Sequence, residues 1–141
     1  MNVKKDMNEW RAERLGYVYF SRLNDLIINE PNDQLFNYWI DISENHKPTG
    51  RLFAVEVKSF DNDKLKWTDL VPIEFENLRF PALLVLFDNN NDHGYYTWIK
   101  KPEANGGLRF DPAKVIAELN SDSLNTIVAE IKDWYSRKQI A

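Results

Sequence analysis

The chain has 141 residues, with 18 Lys and Arg against 22 Asp and Glu, so its formal net charge is −4. A chain of this length buries a core without disulfides or a structural metal. Cysteine is absent, which excludes disulfides, thiolate nucleophiles and every cysteine-containing metal site. No apolar run approaches the roughly 20 residues of a membrane-spanning helix, and the N-terminus carries no signal-peptide pattern. We therefore expect one cytoplasmic domain over residues 1–141 that does not enter a membrane.

The N-terminal part predicts a long helix and then a strand. Apolar residues recur at helical spacing over residues 5–28, and Pro31 ends the pattern. Apolar and polar residues then alternate over residues 36–42, with the period of a strand. Asn37 and Asp41 fall on the polar face of this strand.

A second strand is expected to pair with the first in an antiparallel hairpin. The turn signal is Pro48-Thr49-Gly50, and residues 51–59 follow as an interior strand of the sheet. Glu56 and Lys58 share one face of this strand, since side chains two residues apart point the same way. Two opposite charges therefore lie in an otherwise apolar strand, and we expect the long N-terminal helix to cover their face and partly enclose them.

The C-terminal half predicts two more strands and two helices. Residues 81–87 form a continuous apolar run, typical of a central strand buried on both faces. Residues 95–99 are β-branched and aromatic and favour a strand that pairs with it. An Asp-Pro pair is expected to begin a helix over residues 111–119, and residues 124–135 carry the clearest helical stripe of the chain. The order of elements indicates a single α/β domain.

Several common catalytic and binding motifs are absent from the sequence. His46 and His93 have no recognisable nucleophile motif beside them, so we interpret both as solvated loop residues. No glycine-rich loop is followed by the Lys-Ser/Thr pair that binds phosphates. Residues 88–99 begin like a calcium loop but carry His93 and Ile99 where glycine and glutamate are needed.

The segment over residues 33–59 carries the pattern that most constrains function. Its first strand region is Asp-Gln-Leu-Phe-Asn-Tyr-Trp-Ile-Asp-Ile from position 33, and its second is Thr-Gly-Arg-Leu-Phe-Ala-Val-Glu-Val-Lys-Ser from position 49. This pattern resembles the PD-(D/E)xK nuclease superfamily, and more narrowly its small bacterial members whose second strand ends in Gln/Glu-x-Lys. The likeness extends to the strands predicted over residues 83–88 and 95–99. It implies a restriction-endonuclease-like core: a central mixed sheet of about four to five strands flanked by a long N-terminal helix and two C-terminal helices.

The resemblance also implies a chemistry, which is metal-dependent hydrolysis of DNA phosphodiesters, as in restriction or phage defence. The implied cofactor is Mg²⁺, with Mn²⁺ as a substitute. Glu56 and Lys58 are the implied catalytic residues, Glu56 as a metal ligand and Lys58 as the cation that orients the attacking water or the phosphate. The implied metal ligands are Asp33, Asn37, Glu56 and Glu13, with Glu9 as an alternative to Glu13 one turn earlier.

Position 37 departs from the family pattern, because the family has an aspartate there and this chain has Asn37. A neutral amide binds Mg²⁺ more weakly than a carboxylate does. Asp33 is one substitute, whereas Asp41 lies about 13 Å farther along the strand, too far to replace position 37. A second hypothesis is therefore a non-catalytic descendant that keeps the fold and binds a protein partner, a second copy or nucleic acid. In that case Glu56 and Lys58 form an ion pair on a sheet face.

The sequence leaves the mode of DNA binding open. Basic residues either form a rim that follows phosphates or are solvated charges: Lys4, Lys5, Arg11, Arg14, Lys100, Lys101 and Arg109. The five tryptophans suit base stacking, but most aromatic residues fall on predicted core stripes, so we expect them to be core.

Overall fold

The computed structural model describes residues 7–30, 36–61, 76–110 and 116–140. These ranges contain, in order, α1 (Met7–Ser21), β1 (Leu26–Asn29), β2 (Tyr38–Ile42), β3 (Leu52–Phe60), β4 (Ala82–Asp88), β5 (Gly94–Pro102), β6 (Leu108–Phe110), β7 (Ala117–Glu118) and α2 (Ser121–Ile140). The strands form one mixed sheet in the order β1-β2-β3-β4-β5-β6, and β7 also pairs with β5. Only the β3–β4 pairing is parallel among these described strands. The predicted α/β class is confirmed.

The central strands agree with the sequence pattern. β2 and β3 form the predicted antiparallel hairpin, and β3 lies inside the sheet between β2 and β4. All seven residues of β4 are buried, as its continuous apolar run predicts. Glu56 and Lys58 therefore lie on an interior strand, where Leu84 and Leu86 of β4 pair with them, just beyond the end of the β2 pairing at Tyr38 and Val55.

Both faces of the sheet are covered by apolar groups. On one face, α1 and α2 pack against odd-numbered residues of β3 and β4, including Val55, Val57 and Val85. On the other face, Ala54, Leu84 and Leu86 belong to a second apolar cluster. This division follows from the alternation of side chains along a strand.

The expected covering of Glu56 by the N-terminal helix is wrong. α1 packs on the Val57 face, and an added Cβ at Gly16 would lie 3.1 Å from the Cγ2 atom of Val57. Glu56 has the opposite parity in β3 and faces the second cluster. The helix approaches β3 closely because Gly16 has no side chain, and this approach sets where the helix acids meet the strand.

The predicted helix over residues 5–28 is too long. α1 ends at Ser21, where the backbone N–H groups of Arg22 and Leu23 turn to the carbonyls of Tyr19 and Phe20. The last part of the predicted helix is instead strand β1, which pairs antiparallel with β2. Backbone pairing with a neighbouring strand has overridden the helical spacing, and β-branched Ile27 and Ile28 suit the strand.

The prediction for the region after β6 is also wrong in part. Of the helix expected over residues 111–119, residues 111–115 lie outside the described residues, and Ala117–Glu118 is strand β7, paired with Tyr95 and Tyr96. The described part of the C-terminal region therefore contains one helix, α2, rather than two. The sheet has more strands than the four to five expected. Neither described helix is long and apolar enough to cross a membrane.

Candidate functional site

Glu56 is the acidic residue that the sheet encloses most tightly at the candidate site. Its side chain is only 7% exposed. Burial raises the pKa of Glu56 to about 7; the charge of Lys58 opposes the rise, and the charges of Glu13 and Glu9 add to it. A desolvated carboxylate favours its protonated form because the charged form has lost its water. Perturbed acids of this kind concentrate at functional sites.

Lys58 lies two residues along the same strand and is half-buried. No ion pair joins it to Glu56; the ion pairs within the described residues are Arg11–Asp92, Arg51–Glu44, Lys132–Asp25 and Arg137–Asp133. The structural hypothesis of a direct Glu56–Lys58 ion pair is therefore wrong. Lys58 acts on Glu56 through its field rather than through contact, which leaves its ammonium group available to an anionic ligand.

Asn37 joins three elements through its side chain and its backbone. Its Nδ2 donates to Glu13 Oε1 at 2.9 Å, and its Oδ1 accepts from the backbone N–H of Val57 at 2.6 Å. Its own backbone N–H donates to the carbonyl of Val55 at 3.1 Å. The side chain therefore ties α1 to β3 across the start of β2, and one acceptor position of its amide oxygen is already occupied.

Both candidate helix acids face the sheet. Glu13 accepts from Asn37, and Glu9, one turn earlier, accepts from the backbone N–H of Ser59 at 3.0 Å and from its hydroxyl at 2.8 Å. Residues four apart lie on the same face of a helix, so the two carboxylates form one row above the end of β3. The sequence offered Glu9 and Glu13 as alternatives for the assisting acid, and in the structure both carboxylates accept hydrogen bonds from the sheet side.

Ser59 is a residue that the sequence did not single out. Nothing in a lone serine after Glu-x-Lys predicts a bond to α1, because the bond depends on how the helix docks. Tyr38 belongs to the apolar core, yet its hydroxyl donates to the carbonyl of Glu13. These two contacts and the Asn37 amide fix α1 against β2 and β3.

Asp41 has a structural role that the sequence did not foresee. Its Oδ1 accepts from the N–H of Thr49 at 2.9 Å and its Oδ2 from the N–H of Gly50 at 3.0 Å. The buried carboxylate thereby holds the β2–β3 turn, where Gly50 has a positive φ of 82°. Both oxygens are engaged at the far end of β2 from Asn37, so Asp41 is not part of the candidate site.

Asp33, a predicted metal ligand, lies outside the described residues. His46 and His93 are exposed loop residues, as expected. Lys100, which was expected either in a basic rim or as a solvated charge, is buried and donates to the carbonyl of Glu76. Among the residues that the structure describes, no group of three or more His, Cys, Asp or Glu side chains is arranged to hold a metal ion.

Comparisons with family models, with curated proteins and with solved structures find no significant match to this chain.

Proposed function

We propose that this domain is a divergent PD-(D/E)xK nuclease that hydrolyses DNA phosphodiesters with a divalent metal ion. The observation that carries the proposal is Glu56, a buried carboxylate with no ion-pair partner among the described residues. An unpaired buried acid costs folding free energy, so its presence on a central strand favours a functional role over a structural one.

The topology supports the same proposal. A helix, a hairpin whose second strand carries Glu-x-Lys, and further strands follow one another along the chain, which is compatible with the core that the resemblance implies. Glu56 and Lys58 lie about 7 Å apart along β3, on one face. This spacing separates a metal-binding carboxylate from a cation that meets the phosphate or the attacking water.

The described side chains fit a Mg²⁺ ion that is bound by only two protein carboxylates. Mg²⁺ is usually bound through one or two carboxylates, with water and substrate phosphate completing its shell. Glu56 supplies the first carboxylate and Glu13 is the proposed second, because Asn37 joins Glu13 to the N–H of Val57, the residue after Glu56. When bound, the ion supplies positive charge at the phosphoryl oxygens and activates water. With no third acidic ligand among the described residues, we expect the free protein to bind it weakly.

The residues of the chain have separate tasks in this proposal. Lys58 stabilises negative charge on the phosphate, because its amine has no carboxylate partner in the described structure. Glu9 and Ser59 position α1 through their two hydrogen bonds and do not take part in chemistry. Asn37 positions Glu13.

Cleavage of labelled single-stranded and duplex DNA with Mg²⁺ or Mn²⁺ tests the proposal. We expect cleavage by the wild type, none without metal, and none by Glu56→Gln. The matched control is Glu118→Gln, an exposed glutamate on edge strand β7, which should cleave like the wild type. A wild type that cleaves neither substrate with either metal, or a Glu56→Gln variant that still cleaves, contradicts the proposal.

A second function is favoured by Asn37. Its amide supplies a hydrogen-bond donor to Glu13, where two carboxylates would need a cation between them. This substitution holds the site together without a metal and suits a non-catalytic module that binds a protein partner or nucleic acid. DNA binding by a wild type that never cleaves would support this second function.

A further inference from the structure

The outer face of α1 carries an exposed aromatic and basic stripe next to the candidate site. Large apolar side chains are exposed at Met7 (72%), Trp10 (46%), Tyr17 (40%) and Val18 (46%), and all four belong to this one helix. Trp10 was expected in the core, but α1 turns its Ala12, Gly16 and Phe20 face inward. Trp10, Arg14 and Tyr17 form the aromatic and basic stripe.

The stripe borders the row of acids that faces the sheet. Trp10 is three residues before Glu13 and Tyr17 is four residues after it, so both are surface neighbours of Glu13 on the helix. The Tyr17 ring also contacts Tyr38 edge-on, with centroids 6.1 Å apart. The aromatic pair therefore lies within one helical turn of the acid that we place at the metal site.

Charge at the stripe is positive although the chain is acidic overall. The guanidinium of Arg14 lies 5.5 Å from the centre of the Trp10 ring, and no acidic residue of the described structure forms an ion pair with it. Glu9 and Glu13 turn inward to their hydrogen bonds. The exposed face is thus complementary to an anion that also offers flat apolar groups.

We infer that Trp10, Arg14 and Tyr17 bind single-stranded nucleic acid and lead its backbone to the candidate site. Bases stack on exposed aromatic rings only where they are unpaired, and arginine contacts both the phosphate and the ring. Trp10 and Tyr17 are about 10 Å apart along the helix, so they stack different bases rather than the two faces of one. That the bound nucleic acid leads to a catalytic site rests on the proposed function. Its binding to the stripe does not.

A second copy of the chain fits the stripe less well. Arg14 is the central residue of Met7–Ser21, so an antiparallel helix pair about a two-fold axis would bring Arg14 against its own copy. Like charges placed face to face oppose such a pair. The stripe therefore favours an anionic ligand over self-association.

The test is binding of a fluorescein-labelled oligo(dT) to the full chain in EDTA, followed by anisotropy. We expect Trp10→Ala to weaken binding about tenfold, as loss of one stacked base does, and Trp10→Phe to retain most of the affinity. Arg14→Gln should weaken binding and flatten the dependence of log affinity on log salt by about 0.7. Arg22→Gln, which removes an exposed charge after the end of α1, is the matched control and should change affinity less than twofold.

Each outcome decides between explanations. Unchanged binding by Trp10→Ala, or equal losses in Arg14→Gln and Arg22→Gln, overturns the inference. The inference is also overturned if light scattering shows that the wild type is a dimer and that Trp10→Ala is a monomer with unchanged DNA affinity. Because binding is measured without metal, a wild type that binds through Trp10 but never cleaves contradicts only the nuclease proposal. Normal cleavage with Trp10-independent binding contradicts only this inference.

Discussion

The side-chain amide of Asn37 donates a hydrogen bond of 2.9 Å to the carboxylate of Glu13, which ties the start of β2 to α1. The same amide accepts from the Val57 N–H, one residue from Glu56 on β3. An aspartate at position 37 has no such donor and would place a second negative charge against Glu13. With Asn37, the contact with Glu13 is a hydrogen bond from a neutral amide. With an aspartate, the contact would join two anions and would need a cation between them.

Replacement of Glu56 should change how stability depends on pH. Burial raises its pKa from an ordinary 4.5 to about 7, so the folded state binds a proton more tightly than the unfolded state. The unfolding free energy is then highest below pH 4.5 and falls as the pH rises through 7. For the wild type we expect a loss of about 2 kcal/mol between pH 5 and pH 8 from this group. Glu56→Gln should remove most of it.

Urea denaturation at pH 5 and pH 8 measures this effect, and Glu118→Gln provides the comparison for an exposed glutamate. The relevant quantity is the difference in unfolding free energy between pH 5 and pH 8. This difference does not depend on how well a buried amide packs. Equal pH dependence in the wild type and in Glu56→Gln would show that Glu56 is not desolvated.

Replacement of Lys58 should act on Glu56 through charge. The Lys58 ammonium lowers the pKa of Glu56 against the effect of burial, so Lys58→Met should raise that pKa further. We expect a destabilisation of about 1 kcal/mol at pH 8, where Glu56 is ionised, and less at pH 5, where it is protonated. Lys47→Met, at an exposed turn position, should change the unfolding free energy equally at pH 5 and pH 8. The same loss at both pH values in Lys58→Met would mean that its charge does not act on Glu56.

Replacement of Asp41 should destabilise the hairpin without touching the candidate site. Both carboxylate oxygens accept backbone N–H groups, and Asp41→Asn retains only one oxygen acceptor, so one partly buried N–H loses its partner. The expected cost is about 1–2 kcal/mol. Chemical denaturation measures it, with Asp133→Asn at an exposed ion pair as the control. If Asp41→Asn is as stable as the wild type, the Asp41 hydrogen bonds do not stabilise the turn.

The sequence was sufficient for the central strands because their patterns are strong. The hairpin of β2 and β3 alternates with period two, and the run that forms β4 is apolar throughout. Strands β1, β6 and β7 have two to four residues each, too few for a periodic pattern, and pairing with neighbours decides them. Leu26 continued the helical spacing of α1 by coincidence and lies in a strand.

The candidate site was only partly predictable for a related reason. A two-residue motif locates Glu56 and Lys58, since strand geometry alone puts them on one face. The hydrogen bonds of Asn37 and Glu9 depend on the docking of α1 against β3, which no local pattern encodes. The exposure of Trp10 follows from the same docking, because the inward face of Gly16 determines which side of the helix meets water.

The measurement that tests the account most directly is the thermal stability of Asn37→Asp with and without millimolar Mn²⁺. Without metal, the variant loses the donor to Glu13 and gains a like charge beside it, so it should melt below the wild type. Mn²⁺ should raise its Tm by several degrees, because a ligand that binds only the folded state stabilises it. The wild type should respond much less, and Asn105→Asp, on an exposed loop, should respond like the wild type. An Asn37→Asp variant that melts at the same temperature with and without Mn²⁺ would contradict the account, since no cation site would then exist beside Glu13 and Glu56.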